Sequence, residues 1–106
     1  MAAEAYSLSE SSDDWEPFEV GTVKWLRRDD DVQAGVWVCT TEELPNVSEG
    51  LFERNETVFI LEGRVRVEIV DGPTFELAPG DSASFIKGTT GRWTILESVK
   101  EFFIYS

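Results

Sequence analysis

The strongest constraint on this chain is its punctuation. From residue 22 onward, short runs of β-branched and aromatic residues alternate with turn residues, and no segment sustains a 3.6-residue apolar period. Residues 64–70 alternate cleanly, so Val65, Val67 and Ile69 share one face while Arg64, Arg66 and Glu68 share the other. Residues 22–26, 35–41, 57–61, 74–77, 82–86, 92–97 and 101–105 read as further strands. The breaks have a mechanism. In Asp71-Gly72-Pro73, glycine is expected to supply positive φ beside a proline with fixed φ, and Pro79-Gly80-Asp81 separates two further strands. Asp81 is expected to fix its turn through side-chain-to-backbone hydrogen bonds. Only residues 41–53 leave room for a turn of helix. About nine short strands in one domain predict an all-β sandwich or barrel.

A chain of 106 residues holds one core and no second one. Residues 18–106 form the expected domain, starting near Trp15, Pro17 and Phe18. Residues 1–17 are rich in Ser, Asp and Glu and are expected to be a mobile acidic arm. The charge is uneven: residues 1–56 hold 14 acids and 4 bases, whereas residues 57–106 hold 7 and 5.

Composition then excludes several kinds of chemistry. The net charge of −12 disfavours nucleic acid and anionic membrane surfaces, since both are bound through clustered Lys and Arg. The absence of histidine removes imidazole acid–base catalysis, histidine-dependent nucleophile pairs and imidazole metal sites. A single cysteine, Cys39, forbids an intramolecular disulfide and fits a reducing compartment. Without a partner it is expected to be a small buried hydrophobe. No run approaches 18 apolar residues and the N-terminal residues lack the pattern of a signal peptide, so the expectation is a cytoplasmic location without a membrane partner.

Two stretches go beyond generic β-structure. Glu56 precedes Gly63 by seven positions, and Pro79-Gly80-Asp81 is followed by Ile86-Lys87-Gly88 and Gly91-Arg92-Trp93. Their order and separation resemble the two motifs of the cupin superfamily. Together with Gly35-Val36-Trp37 and Leu61-Glu62-Gly63, they resemble a branch of small single-domain cupins. That branch is related to the cupin domains of ureidoglycine aminohydrolase and of ethanolamine-utilisation proteins. The resemblance implies an antiparallel jelly-roll (RmlC-like) barrel, with Glu56 pointing inward and a homodimer as the usual assembly. It also implies a metal site, from which this sequence departs. The histidine positions of the first motif fall on Gly50 and Phe52, or on Glu49 and Leu51, and that of the second falls on Gly91. Only Glu56 keeps a ligand, so neither a metal nor any other cofactor is expected.

The expected function is therefore metal-free binding of a small molecule inside the barrel, with Trp37, Glu56, Lys87 and Trp93 as the ligand-binding residues. Trp93 lies two positions from Gly91 and so faces inward with it. The alternative is a small enzyme of the ureide/amide hydrolase or isomerase type. In it Glu56 would be the catalytic base and Lys87 the anchor for an anionic substrate. A further alternative makes the acidic N-terminal half a protein-interaction module.

Overall fold

The structure, a computed structural model, describes residues 4–106 and is built from strands throughout. In chain order these are β1 (Glu16–Pro17), β2 (Thr22–Arg28), β3 (Gln33–Cys39), β4 (Ser48–Leu51), β5 (Glu56–Ile69), β6 (Thr74–Leu77), β7 (Ser82–Phe85) and β8 (Thr90–Tyr105). Every pairing is antiparallel, in the order β1-β2-β3-β8-β5-β6, with β4 added to β8 and β7 to β5.

Two long strands organise the rest. β5 pairs along its length with β8, from Glu56 opposite Tyr105 to Ile69 opposite Gly91. On its other edge the first half of β5 meets β7 and the second half meets β6. β8 divides likewise, its first residues joining β4 and its last seven joining β3. Each long strand thus passes from one face of the sandwich to the other, turning a corner through irregular register between Ile60 and Val65. Inward parity changes there: Val58 and Ile60 are buried before the bend, Val65 and Val67 after it. Gly63 makes the bend possible. It sits at φ 81°, and a Cβ there would collide with the carbonyl oxygen of Ser98.

The expected strands are present but divided differently. Residues 57–61 and 64–69 belong to one bent strand, with Val70 already in the turn, and residues 92–97 and 101–105 belong to another. The Gly63 corner and the polar residues near 98 bend the chain without ending its ladder. The turn of helix allowed in residues 41–53 is absent. A turn at 41–43 leads instead to β4, which was missed because all four of its residues are exposed and carry no apolar alternation. The Pro79-Gly80-Asp81 turn forms as expected, with the Asp81 carboxylate accepting the Ala78 N–H at 2.8 Å, whereas in Asp71-Gly72-Pro73 the positive φ falls on Asp71, at 60°, and not on Gly72.

The core joins Val23, Cys39, Val58, Ile60, Val65, Val67, Val99 and Phe103, with Phe52, Leu77, Phe85 and Ile95 completing it. Part of the acidic N-terminal segment lies against the outside of the sheet. The Lys24 ammonium, almost fully buried, donates to the carbonyl oxygens of Ser9, Glu10 and Ser12 at 3.2, 2.9 and 3.2 Å. It also lies 4.8 Å from the centre of the Trp15 ring. Glu16 and Pro17 then pair with Val23 and Thr22, and Phe18 packs edge-on against Trp25.

Candidate functional site

A cavity of about 190 Å³ opens into the sandwich between β3, β5, β8 and the segment that joins β1 to β2. Strand parity decides what lines it. On β8 the inward residues after the bend are Val99, Glu101, Phe103 and Tyr105, one side of the strand at period two. On β5 the corresponding series is Glu56, Val58 and Ile60. The hydrocarbon members fill the core, which leaves Glu56, Glu101 and Tyr105 at the cavity wall with Trp37 and Trp93. An adjoining space of about 410 Å³ shares Glu19, Glu56, Trp93 and Tyr105, and widens toward Arg54 and Glu53.

Glu101 is the unusual residue. It lies mid-strand, opposite Trp37 on β3 and Ile60 on β5, and is only 3% exposed. Its Oε2 has no hydrogen-bond partner. An unpaired buried carboxylate is costly, so burial, reinforced by the charge of Glu56, holds the Glu101 carboxyl well above the usual carboxylate range. Burial raises Glu56 to about 7. The Tyr105 phenol is also raised, first by burial and then by Glu56, Glu101 and Glu19. The Trp37 indole N–H donates to the Val20 carbonyl at 2.7 Å, which anchors that ring. Among the described residues, no Lys or Arg lines this inner cavity.

Trp37, Glu56 and Trp93 are thus brought together as the sequence suggested. Lys87 is not. It is exposed in the β7–β8 turn, where its backbone N–H donates to Asn55 Oδ1 at 2.9 Å, and it belongs to neither cavity wall. Cys39 is buried and its thiol is raised to about 11, chiefly by desolvation, which suits a core residue and not a nucleophile. Glu101 and Tyr105 were missed. Their signal was parity with Trp93 along one continuous strand, hidden by reading a break before Glu101.

Of the positions at which the resemblance implies a metal ligand, Phe52 and Gly91 are taken up by packing, whereas Glu49, Gly50 and Leu51 are exposed. Phe52 is buried and stacked on Phe85 at 4.7 Å between ring centres, with Trp93 next to both. A Cβ at Gly91 would stand 2.9 Å from the Phe52 ring, so a larger side chain there would displace that ring. Glu49 is turned outward and paired with Arg92 at 2.6 Å, and Leu51 is exposed. Among the described residues, no three metal-ligating side chains of the His, Cys, Asp and Glu types converge. The donor set does not fit a transition metal.

Comparison with known proteins places this geometry. Residues 26–103 match the family model of the EutQ-like cupin domain. A protein of the DUF861 family from Thermotoga maritima is 32% identical over 64% of this chain and 73% of its own, with a TM-score of 0.56. An ethanolamine utilization protein Q from Salmonella typhimurium, itself described as putative, superposes with a TM-score of 0.69 at 18% identity, covering 86% of this chain and 76% of that one. The iron(II) form of HppE gives a TM-score of 0.69 at 15% identity, over 96% of this chain and 64% of that one. No curated protein matches the chain in sequence. The all-β architecture is the cupin jelly roll.

Proposed function

The chain belongs to the EutQ-like cupin family, and from that premise we propose that it binds a small molecule in the barrel without a metal. One observation carries the reading: a buried carboxyl with an unpartnered oxygen, Glu101, forms part of the wall of an open, aromatic-lined cavity. Buried polar atoms are normally satisfied, and an exception beside a cavity fits a partner that arrives with a ligand. HppE, at 15% identity, has an iron(II) form. In this chain none of the positions at which the cupin resemblance implies histidine ligands, Gly50 and Phe52 or Glu49 and Leu51 together with Gly91, carries an imidazole, so no step is assigned to a metal.

The test is a thermal-shift screen over small carboxylates, ureides, amines and sugars. A ligand at about 100 times its dissociation constant adds roughly 2.7 kcal/mol of stability, worth about 10 °C or more in a domain of this size. Trp93→Ala should weaken the response. A screen in which nothing shifts the midpoint would reject the pocket and return attention to the acidic N-terminal half as an interaction surface.

A second reading is an enzyme of the hydrolase or isomerase type, favoured by the two carboxyls themselves. Glu56 at about 7 is poised to accept a proton, while burial raises the Glu101 carboxyl well above the usual carboxylate range. Lys87 has no part in this version, because it lies outside the cavity. Turnover of a bound compound, followed by NMR and abolished in Glu56→Gln, would establish it.

A further inference from the structure

We infer, resting on the ligand-binding reading above, that the ligand is a small organic cation, an alkylammonium whose charged head meets Glu101 while its hydrocarbon lies against Trp37 and Trp93. Three carboxyl groups (Glu19, Glu56 and Glu101) line the inner cavity, and among the described residues no basic side chain does. Two of them come from different strands, and the third from the segment joining β1 to β2. A cluster of acids alone would be a solvated surface. Here one member, itself part of the cavity wall, is 3% exposed with an oxygen that no group among the described residues satisfies, an acceptor stripped of water. An ammonium donor supplies both the hydrogen bond and the charge that this atom lacks.

The rest of the wall suits the same guest. Trp37 has committed its N–H to Val20, so what it offers a ligand is its π-system, and Trp93 and Tyr105 add two more aromatic groups. Aromatic faces attract cations through the ring quadrupole, more strongly where water is excluded. A volume of about 190 Å³ is below that of cavities for drug-sized molecules and limits the guest to a few heavy atoms. The net charge of −12 concentrates cations around the molecule and repels anions. These features reverse the polarity of the ligand implied by a lysine anchor.

Binding is expected to be linked to protons. Glu56 on β5 acts on Glu101, Tyr105 on β8 and Cys39 at the end of β3 feel its charge, and Glu19 before β2 lines the same cavity. Arg54 lies 5.9 Å from the Tyr105 ring centre and lines the outer space but not the inner cavity. With Glu56 raised to about 7 and Glu101 raised above its ordinary range, a cation that binds beside them is expected to displace protons to solvent.

The experiment compares propylammonium, propanoate and 1-propanol at equal ionic strength, with sodium chloride as the control. Binding is read by thermal shift and by calorimetry in buffers of different ionisation enthalpy. Propylammonium should bind saturably, release protons and tighten at least about tenfold between pH 6 and pH 8. Glu101→Gln should weaken it at least tenfold. Should that variant fail to fold, proton release by the wild-type chain still decides the matter. Binding of propanoate or propanol in preference to propylammonium overturns the cation inference and leaves the ligand-binding reading standing. Failure of all three here, together with a silent broad screen, overturns both. A propylammonium response matched by sodium chloride is a salt effect and also overturns the inference.

Discussion

Replacing Glu56 by Gln should change how stability depends on pH. The Glu56 carboxyl, at the start of β5 between Phe85 and Tyr105, is raised from an ordinary 4.5 to about 7 by burial. The folded chain therefore keeps a proton that the unfolded chain loses over the same range. Stability rises with pH only where the unfolded state binds more protons, and here the folded state binds more. The contribution of Glu56 is present in full below about pH 4.5, declines as pH rises and is gone above about pH 7. At 1.36 kcal/mol per tenfold change in ionisation the span is worth roughly 3 kcal/mol, which solvent access through the cavity mouth reduces to about 2 kcal/mol. Glutamine has nearly the same shape and no charge. Glu56→Gln should match the wild type near pH 4.5 and exceed it by about 2 kcal/mol at pH 8, a gain of about 1–2 M in urea midpoint. Urea titrations of both proteins at pH 4.5, 5.5, 6.5 and 8 provide the assay. The general repulsion of an acidic chain also weakens it as pH rises, and taking the difference between the two proteins largely cancels that part. Parallel curves would refute the argument by showing that Glu56 ionises in the folded protein as freely as in water.

Gly63→Ala should lose about 2–4 kcal/mol in chemical denaturation, because a Cβ at positive φ meets the Ser98 carbonyl. Lys24→Met should cost about 1–3 kcal/mol and speed proteolysis within residues 4–15, since the ammonium anchors the carbonyls of Ser9, Glu10 and Ser12. Protein purified without chelator should carry no stoichiometric Mn, Fe, Ni or Zn by elemental analysis; about one ion per chain would contradict the packing of Phe52 against Gly91. We propose a homodimer through the outer face of β5 and β8, where Phe59 and Leu61 are exposed beside partly exposed Phe102 and Ile104. Sedimentation should then give twice the 12.0 kDa chain mass at micromolar concentration, and Phe59→Glu should return the monomer.

The strands, most of the turns and the shared face of Gly91 and Trp93 were legible in the order of the residues, and the inward direction of Glu56 in the resemblance to the cupin motifs. These follow from local rules, namely period-two alternation, glycine at positive φ and the spacing of two motifs. Loss of the metal ligands was legible for the same reason, since a missing imidazole needs no coordinates. Tertiary structure decided what local rules do not reach. Whether Glu62-Gly63 ends a strand or bends it depends on Ser98, 35 positions away, whose carbonyl lies where a side chain at residue 63 would go. β4 has no pattern of its own and exists because β8 offers it an edge. Lys87 and Glu101 changed places as candidates: a lysine near a motif projects from an exposed turn, whereas a glutamate that read as the polar end of a strand lies mid-ladder between Trp37 and Ile60. Burial is a property of all the strands that surround a residue. The most consequential carboxyl in the barrel became visible only when those strands were in place.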